Sequence, residues 1–142
     1  MNDIKIKDII SRFNEKDEAY TNRTYEEIIE ATGCEIIDSL YLGSYQGDLL
    51  MIVTKDYMFG VLSTGYGSCP ACDKLKSCDN DNKRAYLAKE LYESIMWKDV
   101  NEIIDYLENK DWQLEYYGGE KGLSKFIKNI KEQLIIRYLA KI

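Results

Sequence analysis

The chain has no histidine among its 142 residues. Any mechanism that needs an imidazole is therefore excluded within it, including Ser-His-Asp and Cys-His catalysis and His-ligated metal sites. Proline is nearly absent, with Pro70 the only one. No linker-like stretch or internal repeat divides the chain, so residues 1–142 read as a single domain. No apolar run approaches the roughly 18 residues needed to cross a bilayer. The start, Met1-Asn2-Asp3-Ile4-Lys5, mixes charge into its apolar residues, unlike a secretory signal. A cytoplasmic protein that does not enter membranes is expected. Basic residues are also short: 19 Lys and Arg face 25 Asp and Glu, for a net charge of −6. Phosphate contacts need clustered Lys and Arg, so general nucleic-acid binding is disfavoured. The acid surplus suits solubility or a basic partner.

The charge is unevenly placed. Residues 121–142 hold six basic residues and a single acid, Glu132. That asymmetry can tie the molecule together internally or orient it toward a partner.

Apolar residues make up 45% of the chain, enough for a real core. Ile6, Ile9, Ile10 and Phe13 recur at helical spacing and predict a short amphipathic helix over Ile4 to Phe13. A polar loop follows from Asn14 to Asn22. Thr24, with Glu27 three residues on, forms a capping-box pattern for a second helix that Gly33 ends. Three strand-like runs come next: Glu35 to Leu42, Asp48 to Thr54 and Tyr57 to Thr64, with a turn at Lys55-Asp56. Short turns favour an antiparallel meander. A helix is expected over Asn82 to Met96 with Tyr86, Leu87, Leu91 and Ile95 on one face. Asp99 caps another that points Val100, Ile103, Ile104 and Leu107 inward. Trp112 to Tyr117 reads as a short strand. In the final helix, Leu123, Phe126, Ile127, Ile130 and Leu134 form one stripe, with Lys121, Lys125, Lys128 and Lys131 opposite. The expected fold class is α+β: a small antiparallel β-meander packed on one face by amphipathic helices.

Two glycine-punctuated stretches flank the central strands. One reads Gly43-Ser44-Tyr45-Gln46-Gly47-Asp48; the other runs from Gly65-Tyr66-Gly67-Ser68-Cys69 through Pro70-Ala71-Cys72-Asp73 to Cys78. A meander brings both to the same end of the sheet. Tyr45, Gln46, Asp48, Tyr66, Ser68 and Asp73 would then share a surface suited to stacking and hydrogen bonding, the candidate site for a ligand or partner. The competing reading is two ordinary loops held together by their Tyr and Asp side chains. Tyr dominates the aromatics, with twelve against two Trp and three Phe, and is favoured at interfaces. Trp112, Tyr116 and Tyr117 beside Gly118-Gly119 form a second contact candidate.

The pairing of Gly-Ser-Tyr-Gln-Gly-Asp with Gly-Tyr-Gly-Ser-Cys-x-x-Cys-Asp resembles a group of uncharacterised small phage and Firmicute proteins, over roughly a quarter of the chain. The resemblance implies a phage or prophage origin, and with it an inhibitor that blocks a host component such as a defence system. It carries no chemistry to transfer.

Cys34, Cys69, Cys72 and Cys78 could together supply four thiolates to zinc, although the sequence has no second CxxC. Cys69-Pro70-Ala71-Cys72 after a strand also resembles a glutaredoxin active site, where a helix N-terminus stabilises the first thiolate. That family needs a separate cis-proline, and Pro70 is the only proline here. The remaining alternative is four cysteines that stay reduced in the cytosol. A carboxylate enzyme would draw on Asp38, Asp48, Asp56 and Asp73, but no spacing singles out an acid–base pair. The sequence thus favours a non-enzymatic binding protein for a protein or small-molecule partner, with no cofactor expected. A zinc or thiol-redox cysteine module is the alternative.

Overall fold

The computed structural model describes residues 3–16, 23–43, 47–110 and 120–140. The chain order is α1 (Ile6–Lys16), α2 (Tyr25–Glu30), β1 (Glu35–Gly43), β2 (Gly47–Lys55), β3 (Met58–Tyr66), α3 (Asp81–Glu93), β4 (Met96–Lys98), α4 (Val100–Asn109) and α5 (Glu120–Ala140). The strands form one antiparallel sheet in the order β1-β2-β3-β4. The α+β class and the meander are as the sequence predicts. Expected features at Asn14 to Asn22 fall partly outside the described residues, and Trp112 to Tyr117 wholly so. Asn14, Glu15 and Lys16 belong to α1 rather than to a loop.

Local signals explain most boundaries. The Thr24 hydroxyl accepts from the Glu27 amide at 3.1 Å, and the Glu27 carboxylate accepts from the Thr24 amide at 3.1 Å. Asp99 and Glu102 make the same reciprocal pair at the start of α4. Gly33 takes φ +95 after α2, a conformation closed to most side chains. The β2–β3 hairpin turns on Asp56 and Tyr57, both with positive φ, as a two-residue turn with matching strand twist requires.

One expectation needs correction. Helices cover both faces of the sheet, not one. Leu49, Met51, Val53 and Leu62 face a core built with α1, α2 and α3, centred on Ile9, Phe13, Ile28 and Ile29. Leu50, Ile52, Phe59 and Val61 face the opposite core, with Ile103 and Leu107 of α4 and Phe126, Ile130 and Leu134 of α5. Successive strand residues point to opposite faces. An unbroken Leu49–Val53 run is therefore what a strand needs when both faces are dry.

The helical stretch predicted over Asn82 to Met96 also ends early. Ser94 caps α3, and Met96 to Lys98 pair with Phe59 to Val61 as β4. Gly60 allows this closure. A Cβ there would collide with Ile95 Cγ2 and come within 3.1 Å of the Trp97 ring. Within α3, Leu87 and Leu91 are buried, but Tyr86 is exposed. On α5, Leu123, Phe126, Ile130 and Leu134 are buried, Ile127 is half-buried, and Lys125 and Lys128 are exposed. The Lys121 side chain lies outside the description. Part of the C-terminal positive charge is used internally: Arg137 binds Glu35 of β1 at 2.8 and 3.0 Å, and Lys131 pairs with Glu108 of α4. Among the described residues, no helix is long and apolar enough to cross a membrane.

Candidate ligand-binding cleft

At the end of the sheet where β1 and β3 finish, a cleft of about 560 Å³ opens between α2, the 67–78 loop and the start of α3. Its aromatic walls are Tyr25, Tyr41 and Tyr66, and its basic residues are Arg23, Lys76 and Arg84.

Asp73 organises the floor. It is buried, and its carboxylate accepts from the Tyr25 hydroxyl (2.7 Å) and from the amides of Gly67 (2.9 Å), Leu75 (2.9 Å) and Lys76 (3.1 Å). Burial by itself would raise the carboxyl pKa. The bonds from Gly67, Tyr25, Lys76 and Leu75 outweigh it and hold the group below the usual aspartate range. Gly67 makes the tight closure possible, because a Cβ there would sit 2.6 Å from the Cys72 carbonyl oxygen and 2.7 Å from its sulfur. Burial, and then the bond to Asp73, push the Tyr25 phenol well above its ordinary value.

The aromatic walls are likewise fixed. The Tyr41 hydroxyl donates to the Glu26 carboxylate, and the Tyr66 hydroxyl donates to the Gly43 carbonyl at 3.0 Å. The two rings meet edge to face, with centroids 5.1 Å apart and planes at 83°, a favourable aromatic geometry. Strand alternation places both on the sheet face that carries α2.

Two capped helix starts supply the guanidinium groups. Arg23 precedes the Thr24 cap of α2. Asp81 and Arg84 lie in the first turn of α3, which Asn80 caps. Asp81 receives Arg23 in a bidentate pair (2.8 and 2.9 Å) and Arg84 at 2.9 Å. The Arg23 and Arg84 side chains are only 1% and 8% exposed. Arg23 also lies over the Phe13 ring, 4.3 Å from its centroid. The hydrogen bond from Arg23, ahead of that from Arg84, keeps the Asp81 carboxyl below its usual range.

Of the six candidate binding residues read from sequence, Tyr66 and Asp73 line this cleft. Asp73 does so with its carboxylate turned into the protein rather than free for a ligand. Ser68 is exposed and lies outside the lining. Asp48 pairs with Gly65 across the ladder, and alternation sets it on the sheet face of Leu50, outside the lining; burial, and then the Asp48 charge, raise the Tyr66 phenol. Tyr45 and Gln46 lie outside the described residues, in the connection between Gly43 and Gly47, which pair with each other. Sequence reading missed Arg23, Tyr25, Tyr41 and Arg84. The Thr24 cap marked the neighbourhood of Arg23 and Tyr25, but nothing in the linear pattern joined it to Tyr41 or Arg84.

The cysteines occupy three environments. Cys69 and Cys72 are exposed and bonded to each other across the CxxC turn, with Pro70 between them lining the cleft. Cys34 is buried in the first core. Cys78 is half-buried at the cleft. Burial raises both free thiols; for Cys78 the charges of Arg84 and Lys83 partly offset it. Among the described residues, no group of three or more Cys, Asp or Glu is arranged to hold a metal ion. Asp73 is the only carboxylate among the described residues of the cleft lining, so they supply no pair of carboxylates. No family model, curated protein or solved structure matches the chain.

Proposed function

We propose that the protein is a non-enzymatic binding protein and that its ligand occupies the cleft between α2, the 67–78 loop and α3. One observation carries this reading. The cleft has the size of a small-molecule site, and its three tyrosines and two arginines are each held by a bond within the protein. A site so fixed loses little freedom on binding. On the resemblance to phage proteins, the ligand belongs to a host cell and its capture is the inhibitory act.

Native mass spectrometry after incubation with a clarified cell extract tests the proposal. Wild-type protein should retain a small species that denaturation releases. Tyr66→Ala removes one part-buried hydrogen bond and the edge-to-face contact with Tyr41, so it should lower the melting temperature modestly, stay folded at the assay temperature and lose that species. Equal retention by Tyr66→Ala, or no retained species from either protein, contradicts the assignment.

A further inference from the structure

The turn that carries Cys69 and Cys72 is held by bonds other than the one between their sulfurs. The Cys72 amide donates to the Cys69 carbonyl at 3.1 Å. The next residue, Asp73, is anchored by the Tyr25 hydroxyl and by the amides of Gly67, Leu75 and Lys76. These bonds fix both sides of the turn, so the two sulfurs stay neighbours whether or not they are joined. A bridge over three residues also constrains the unfolded chain less than one that closes a long loop. Both cysteines are exposed, within reach of a thiol from solution. A pair that is accessible, little needed by the fold and kept together in both states suits exchange rather than structural bracing.

The two sulfurs are not equivalent. Cys72 Sγ accepts a hydrogen bond from the Cys69 amide at 3.1 Å, and the Cys69 carbonyl oxygen lies 3.2 Å from it. The amide favours negative charge on this sulfur as it is released, and the carbonyl receives its proton once it is a thiol. Cys72 Sγ is also backed by Gly67, where a Cβ would sit 2.7 Å away. Among the described residues, the Cys69 sulfur has no such bond. A helix N-terminus plays no part, since the next helix, α3, starts only at Asp81.

We propose that Cys69–Cys72 is a site of thiol–disulfide exchange with a dithiol, in which Cys69 is the sulfur attacked and Cys72 the sulfur released. One thiolate of the dithiol attacks Cys69 Sγ. The Cys69–Cys72 bond breaks, its electron pair goes to Cys72, and Cys72 takes up a proton. The second thiolate of the reductant then attacks the reductant's own sulfur in the mixed disulfide, and Cys69 leaves and is protonated. Two electrons pass from the dithiol, which becomes a disulfide, and its two protons end on Cys69 and Cys72.

Glutathione, a monothiol, tests the order of events because it halts the reaction at the mixed disulfide. Oxidised, folded protein is mixed with reduced glutathione, quenched at short times with excess N-ethylmaleimide and mapped by peptide mass spectrometry. Glutathione should be found on Cys69 and the maleimide on Cys72, in about tenfold excess over the reverse pattern, the scale of one hydrogen bond to the leaving sulfur. Dithiothreitol should open the pair completely in folded protein with little change in melting temperature, and oxidised glutathione should close it again. Equal labelling, or glutathione mainly on Cys72, would overturn the assigned roles. Opening only in denaturant, or a large fall in melting temperature on reduction, would show a structural bond and overturn the exchange site itself.

Discussion

Asp73 ties together three parts of the chain that are distant in sequence: Tyr25 at the start of α2, Gly67 after β3, and the Leu75–Lys76 turn. A buried carboxylate with four donors is stabilised only while it is charged. Its pKa lies below that of an unfolded aspartate, near 3.9. The stabilisation it gives is thus complete above about pH 4 and is lost as pH falls through the lower folded value. Asp81, lowered by its arginines, acts in the same direction. Urea midpoints should change little through Asp73 between pH 8 and 5 and drop in stronger acid. Asp73→Asn leaves backbone donors facing an amide and should cost about 3 kcal/mol at pH 7. It should also flatten the acid limb of the profile. A variant as stable as wild type, with the same acid limb, would show that Asp73 does not hold the loop. Tyr66 and Asp73 were legible in the sequence as candidates, but their different roles were not. Strand periodicity places a Tyr on a face, whereas the inward turn of Asp73 depends on Tyr25, at the start of α2, reaching it from 48 residues earlier in the chain.

At the scale of elements, the 67–78 loop and β4 give the sharpest predictions. The loop has a second tie in the Cys69–Cys72 pair, set in the open, while Cys34 and Cys78 have raised thiols. Alkylation of air-oxidised, unreduced protein followed by mass spectrometry should leave Cys69 and Cys72 unmodified, and should label Cys34 only after unfolding. Labelling of Cys69 and Cys72 in folded protein, or one bound zinc per chain, would replace the pair with free thiols or a metal site. For β4, the absent Cβ of Gly60 is what lets Ile95 and Trp97 close over β3. Gly60→Ala should destabilise the protein by about 1–3 kcal/mol through overpacking, read as a fall in urea midpoint with an unchanged slope. An unchanged midpoint would contradict that packing. The capping residues made α2 and α4 readable in advance. β4 was not, because Ile95 and Met96 continue the apolar pattern of α3 and only the pairing with Phe59 to Val61 turns the chain into a strand.

The whole molecule is a sheet between two helical layers, and this makes the cleft possible. The strand ends are held from both sides: by α1, α2 and α3 on one face, and by α4 and α5 on the other. The apolar run of β2 signalled burial in the sequence, yet a run alone does not say that separate helices cover its two faces. Phe126, 4% exposed in the second core, reports on that layer, and Phe126→Ala should cost about 3–5 kcal/mol. A melting temperature equal to that of wild type would mean that α5 packs elsewhere. The cleft escaped linear reading for a related reason: Arg23 and Arg84 meet only because α2 and α3 start side by side around Asp81. The most direct test of the cleft as binding site is a ¹H–¹⁵N NMR titration of the wild-type protein with 1-anilinonaphthalene-8-sulfonate. The largest amide shifts should fall on Arg23, Tyr25, Tyr66, Gly67, Leu75 and Arg84, with the α4–α5 layer unmoved; shifts centred on α5 and β1, with those six amides unchanged, would contradict the account.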